Sequence, residues 1–181
     1  MRARVSLLGL AVALGMFWGL SAAVAEDDPG RSFRADLSGY QEVLNPSGGG
    51  AVSTPAGGAF RAKLERGGTA IDYELSYRGL LGSVTQAHIH FGQPGTTGGI
   101  VVWLCQTPPD FADPTGLAPT CPTEGSVTGQ LTFANVIGGA AAQGIAVGEF
   151  EEAVRAMQAG AAYVNVHTTL FPPGEIRGQV K

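Results

Sequence analysis

Histidine and cysteine are scarce in this 181-residue chain, at three and two residues. A metal site built on imidazole therefore has at most three such ligands. The cysteines are not in CxxC spacing, which removes the usual redox-pair and thiolate-zinc patterns. Basic charge is also thin. Lys and Arg total 11 against 15 Asp and Glu, a net charge of −4, and the basic residues are scattered. Such a chain has no electrostatic footprint for nucleic acid and no polybasic patch for anionic lipid. The catalytic signatures are missing as well: there is no GxSxG elbow, no P-loop, no dinucleotide-binding glycine fingerprint and no HExxH. Carboxylates stand singly, and Asn165 beside His167 lacks the partners of a hydrolase triad. No repeat of 20–50 residues, second domain or low-complexity tail is visible.

The N-terminus carries a targeting segment. Arg2 and Arg4 precede an almost uninterrupted apolar run from Val5 to Leu20, and Ala23-Val24-Ala25 supplies a small-x-small cleavage pattern. The run is short for a membrane span of about 20 residues, and no cysteine near the cut offers a lipid anchor. Residues 1–25 are thus expected to be a signal peptide, 26–31 a short flexible N-terminus, and 32–181 one domain. Loss of Arg2 and Arg4 leaves 9 basic against 15 acidic residues, a net charge of −6 over 156 residues. The expected location is the periplasm or the extracellular medium, with no membrane span after cleavage.

In an oxidising compartment Cys105 and Cys121 most simply form one disulfide. The loop between them is rich in Pro, Thr and Asp and has little apolar surface to bury. Closing about 15 residues stabilises by up to roughly 3 kcal/mol in the chain-entropy model.

The remaining pattern is period-2 alternation broken by glycine. Phe33–Leu37, Ala59–Leu64 and Ile71–Arg78 alternate apolar with polar residues, and Gly48-Gly49-Gly50, Gly67-Gly68 and Gly79 punctuate them. Further strands are expected at Thr85–Phe91, Ile100–Cys105, Ser126–Phe133, Ala161–Thr168 and Glu175–Val180. The fold class is all-β, an antiparallel β-sandwich or Greek-key-like barrel. Leu64 and Ile71, flanking Gly67-Gly68, should face each other in a hairpin. One segment has helical period: Phe150, Val154 and Met157 share a face of a short amphipathic helix, expected to cover one end of the sheets. The glycines of Phe91–Gly99 read as a tight connecting loop, since no helix follows them.

All three histidines lie on two of these strands. Successive side chains of a strand point to opposite faces, so His88 and His90 share one face and Ala87, Ile89 and Phe91 the other. Likewise Asn165 and His167 oppose Val164 and Val166. Imidazole suits zinc and copper, and His88, His90 and His167 are the candidate metal ligands. Hydrogen bonding to a neighbouring strand or loop is the alternative use of the same residues.

Three stretches together resemble the CHRD (chordin-type) domain. The opening Phe33–Val43, with Ser38-Gly39-Tyr40-Gln41-Glu42-Val43, is similar to that family's first motif. Tyr77-Arg78-Gly79-Leu80 with Ala87–Gly92 resembles its central motif, and Tyr163–Thr168 with Pro173–Gln179 its closing one. The resemblance implies an all-β extracellular binding or structural module without established catalytic activity. Glu175, Arg177 and Asn165 fall in the closing motif and are expected to have structural roles. His88-Ile89-His90-Phe91-Gly92 is also similar to the copper-binding strand of Cu,Zn superoxide dismutase, with His167 where another copper ligand would stand. The histidine count excludes a complete Cu,Zn site. The competing expectations are a CHRD-type module with an extracellular protein partner, a three-histidine copper or zinc protein, and a superoxide-dismutase-like metalloenzyme.

Overall fold

A computed structural model describes residues 30–44, 49–108 and 113–181; the expected signal peptide lies outside the described residues. Eight strands and one α-helix follow in order: β1 (Ser32–Ser38), β2 (Gly57–Leu64), β3 (Ile71–Arg78), β4 (Val84–Phe91), β5 (Ile100–Gln106), β6 (Gly125–Leu131), α1 (Phe150–Gln158), β7 (Ala162–Thr168) and β8 (Ile176–Gln179). They form one antiparallel sheet in the order β5-β4-β7-β8-β1-β2-β3-β6, rolled into a nearly closed barrel. The all-β expectation therefore holds, in its barrel form.

The sequence explains the elements. β2 and β3 pair from Gly57↔Arg78 to Leu64↔Ile71, and Gly68, at φ +72°, turns the chain between them. Phe33, Ala35 and Leu37 of β1, Phe60, Ala62 and Leu64 of β2, and Ile71, Tyr73, Leu75 and Tyr77 of β3 enter the core. Their alternate neighbours face water, as in a sheet solvated on one side. β6 stops at Leu131, two residues before the expected end. Thr132 Oγ1 accepts from Ala134 N and Asn135 Oδ1 from Thr132 N, which opens a short 3₁₀ turn. Phe133 is left 68% exposed.

Phe150, Ala153, Ala156 and Met157 of α1 meet Ile71, Ile89, Val101, Leu131 and Ala162 at one end of the barrel, so the helix acts as a plug. Glu151 and Glu152 in its first turn complement the helix dipole. β5 and β6 are not paired with each other, and contacts from β3 together with a disulfide fasten β5 and the β5–β6 connection at that side. Tyr73 donates its hydroxyl to Leu104 O at 2.6 Å, Tyr77 to Pro122 O at 2.6 Å, and a disulfide joins Cys105 to Cys121.

Strand order positions the histidines. β7 lies beside β4 despite the distance between them in sequence. Its register sets Asn165 opposite His88, His167 opposite Gln86, and Tyr163 opposite His90. On the other side of β4 the pairing with β5 shifts around His88 and His90. Such bulges re-aim side chains locally.

Candidate metal centre

The apolar face of β4 and β7 (Ala87, Ile89, Val164, Val166) points into the barrel, so the histidine face points outward. Yet that face is covered: His88, His90 and His167 are only 1%, 8% and 7% exposed. The cover is the β4–β5 loop, held down by polar side chains from below. Arg177 donates to Thr96 O at 2.6 Å and Gln93 O at 3.1 Å, and Gln179 donates to Gly92 O at 2.9 Å. The loop thus turns three carbonyls toward Arg177 and Gln179 and one N–H, that of Gly98, toward the Tyr163 hydroxyl at 3.3 Å, which is not the row of N–H groups of an anion cradle. Gly98 belongs to it for a steric reason, because a Cβ there would overlap Phe91 O.

One ligand atom from each of His88, His90 and His167 can be chosen so that all lie within 4.8 Å of one another. Ring centroids are 5.4 Å apart for His88–His90, 4.9 Å for His88–His167 and 6.4 Å for His90–His167. Three nitrogens about 2.0–2.1 Å from one ion would be about 3.3–3.6 Å apart. The rings therefore need to close by just over an ångström, within reach of side-chain rotation.

The hydrogen bonds fix which nitrogens are available. His90 Nδ1 sits 2.9 Å from Gly98 O, and His167 Nδ1 2.8 Å from Pro172 O. His167 has a carbonyl at each nitrogen, Asn165 Oδ1 lying 3.0 Å from its Nε2, whereas at His90 the carbonyl only accepts, so Nδ1 carries the proton and Nε2 the lone pair. This is the outer-shell arrangement that orients metal-bound histidines. His90 Nε2 and both nitrogens of His88 are buried with no hydrogen-bond partner. Orphaned polar atoms of this kind are uncommon in folded proteins.

Burial lowers the basicity of all three rings. Desolvation brings His90 and His167 down to about 4, against the opposing effect of their backbone hydrogen bonds. His88 is pushed well below the ordinary value by desolvation and then by His167 and His90. Neutral imidazoles are the ligating form.

Three further residues were not singled out from sequence. Trp103 of β5 sets its ring edge-on against His88 at 4.3 Å. Tyr163 stacks on His90 at 4.7 Å, and the Arg177 guanidinium lies 3.4 Å over the other side of Tyr163. Glu42, just after β1, is buried beside Asn165, and burial raises its pKa against the pull of Val43 N–H, Arg177 and Asn165. Alternation places Tyr163 on the face of Asn165 and His167, but it gives no signal for Trp103 or Glu42, which arrive from β5 and from the segment after β1. Glu175 and Arg177 do not pair with each other. Glu175 accepts from Thr54, Thr168, Leu81 and Gly82, and Arg177 holds the β4–β5 loop.

A family model described as CHRD domain matches residues 33–180. The chain belongs to the CHRD domain family. No curated protein and no solved structure matches it significantly. Within this CHRD domain the opening motif supplies β1 and Glu42, the central motif β4, and the closing motif β7 and β8. The three stretches that mark the family are thus the ones that enclose the histidines. The disulfide-closed loop lies instead between β5 and β6.

Proposed function

We propose that this CHRD domain is an exported binding module that holds one zinc or copper ion on His88, His90 and His167. The observation carrying the reading is the buried convergence of three imidazoles, with Nδ1 of two of them committed to backbone carbonyls and nitrogens left unpaired between them. Borderline metals suit imidazole donors. The near-complete burial of the rings favours an ion that is held over one that turns over a substrate, which ranks superoxide chemistry below simple binding. Export is supported by the leader-like N-terminus and by the disulfide.

The test uses a chain lacking residues 1–25, in which Trp103 is the one tryptophan. Its fluorescence should report metal entering beside His88. Titration with Zn(II), Cu(II) and Cu(I) is expected to show saturable one-to-one submicromolar binding to one of them, lost in both His88→Ala and His167→Ala. Binding that persists in both variants, or none at all, would leave a CHRD binding or structural module that works without metal.

A further inference from the structure

The three-histidine reading, on which this inference rests, leaves Asn165 unexplained. Asn165 stands on the same face of β7 as His167 and directly across from His88. Its Oδ1 lies 3.0 Å from His167 Nε2, while His167 Nδ1 lies 2.8 Å from Pro172 O. A neutral imidazole has one N–H and an amide or peptide carbonyl has none. With the proton on Nδ1, Nε2 and Oδ1 turn lone pairs toward each other; with the proton on Nε2, the same conflict moves to Pro172.

Rotating the Asn165 amide would present Nδ2 to His167 and remove the conflict. Glu42 opposes that rotation. Gly174 sits at φ +135°, and a Cβ there would overlap Glu42 Oε2 and lie 3.0 Å from Asn165 Nδ2. The carboxylate and the amide nitrogen therefore flank the space that glycine leaves. A rotated amide would set Oδ1 against that carboxylate instead. A second proton on His167 would answer its own contact alone. It would leave His90 Nε2 and both nitrogens of His88 unpaired.

Two lone pairs that converge in a buried place are two ligands of one cation. We propose that Asn165 Oδ1 is the fourth ligand of the ion held by His88, His90 and His167. Its 3.0 Å separation from His167 Nε2 is close to the roughly 3.3 Å between neighbouring ligands of a tetrahedral zinc site. The donor set is then three nitrogens and one neutral oxygen. Glu42 lies on the Nδ2 side of the amide with its Oε2 unpartnered, and a hydrogen bond from Nδ2 to it would polarise the carbonyl toward the ion, as a carboxylate does behind a ligating histidine. A site closed by four protein ligands is suited to retaining its ion, since catalytic zinc keeps one position open.

The test is Co(II) substitution followed in the visible spectrum, with Zn(II) competition for affinity. The wild-type protein should take up one Co(II) with the intense bands of tetrahedral coordination. Asn165→Ala should bind at least tenfold more weakly, with the bands altered. Asn165→Asp, made together with Glu42→Gln so that the new oxygen faces an amide and not a carboxylate, keeps the ligand oxygen and adds charge; it should bind at least tenfold more tightly and keep the tetrahedral intensity. An unchanged spectrum and affinity in Asn165→Ala, or in the double variant if the alanine variant does not fold, would overturn the fourth ligand and leave the three-histidine site standing. A wild-type protein that binds neither Co(II) nor Zn(II), with His88→Ala indistinguishable from it, would overturn the underlying site as well.

Discussion

Glu175 shows how much a single polar side chain holds together in this protein. It is fully buried, and its carboxylate accepts from Thr54 Oγ1 and Thr168 Oγ1 at 2.8 Å, Leu81 N at 2.7 Å and Gly82 N at 3.4 Å. Those donors come from the β1–β2 connection, the end of β7 and the β3–β4 connection, so one side chain ties three segments. Removing it strands several buried donors, and breaking a buried charged network of this kind costs about 3–5 kcal/mol. Glu175→Ala should lose stability of that order in chemical denaturation, and Glu175→Gln distinctly less. A loss below about 1 kcal/mol in the alanine variant would show that water replaces the carboxylate. Arg177 works through shape as well as charge. Its planar fork spans two loop carbonyls while its face lies on Tyr163, a combination lysine does not reproduce.

Strand seams are the next level of organisation, and the β5–β6 seam is the one that backbone pairing leaves open. Tyr73 of β3 reaches β5 there, Tyr77 of β3 reaches Pro122 in the β5–β6 connection, and the Cys105–Cys121 disulfide ties β5 to that connection. The disulfide closes a loop with a sequence separation of 16, so reducing it, or replacing both cysteines by serine, should cost about 3 kcal/mol. A fall in the thermal midpoint on adding reductant checks this. The histidine cluster is built on β4 and β7, so its metal affinity should change little in the double-serine variant.

The same elements show what could be read in advance. Eight strands were legible because apolar and polar residues alternate between glycine turns, and α1 because Phe150, Val154 and Met157 recur at helical spacing. Strand order was not legible: periodicity fixes which way a side chain points but not which strand lies beside it. β7 makes the point sharply. Ala-Tyr-Val-Asn-Val-His-Thr reads as half-solvated, yet all seven residues are buried. The β4–β5 loop and the 171–174 turn cover the outer face, and no local pattern announces that cover. Alternation put His88 with His90, and Asn165 with His167. The same alternation puts Tyr163 with the latter pair, but only the fold set it against His90 and added Glu42 and Trp103.

The whole molecule combines a barrel solvated over β1, β2 and β3 with one covered over β4, β7 and β8, and the covered side carries a buried polar layer. That layer should give the metal-free protein a marked acid sensitivity. His90 and His167 titrate near 4 in the folded state against about 6.5 unfolded. Above pH 6.5 both states are neutral at these rings and nothing is lost. Between 6.5 and 4 the unfolded chain binds more protons, so stability falls with falling pH. The slope is up to about 1.4 kcal/mol per pH unit for each ring. Denaturation midpoints measured from pH 7.5 to 4.5 should therefore drop, and the drop should be smaller in a protein carrying His90→Gln and His167→Gln. A bound ion adds its own proton competition, because ligation requires the neutral rings.

One measurement bears most directly on the proposal that three imidazoles hold one ion: the metal content of the folded protein after equilibrium dialysis, in turn, against Zn(II) and copper. The expected result is one ion per chain for one of the metals, and none in His88→Ala or His167→Ala variants whose circular dichroism matches the wild-type protein. Equal metal content in all three proteins, or none in any, would contradict it.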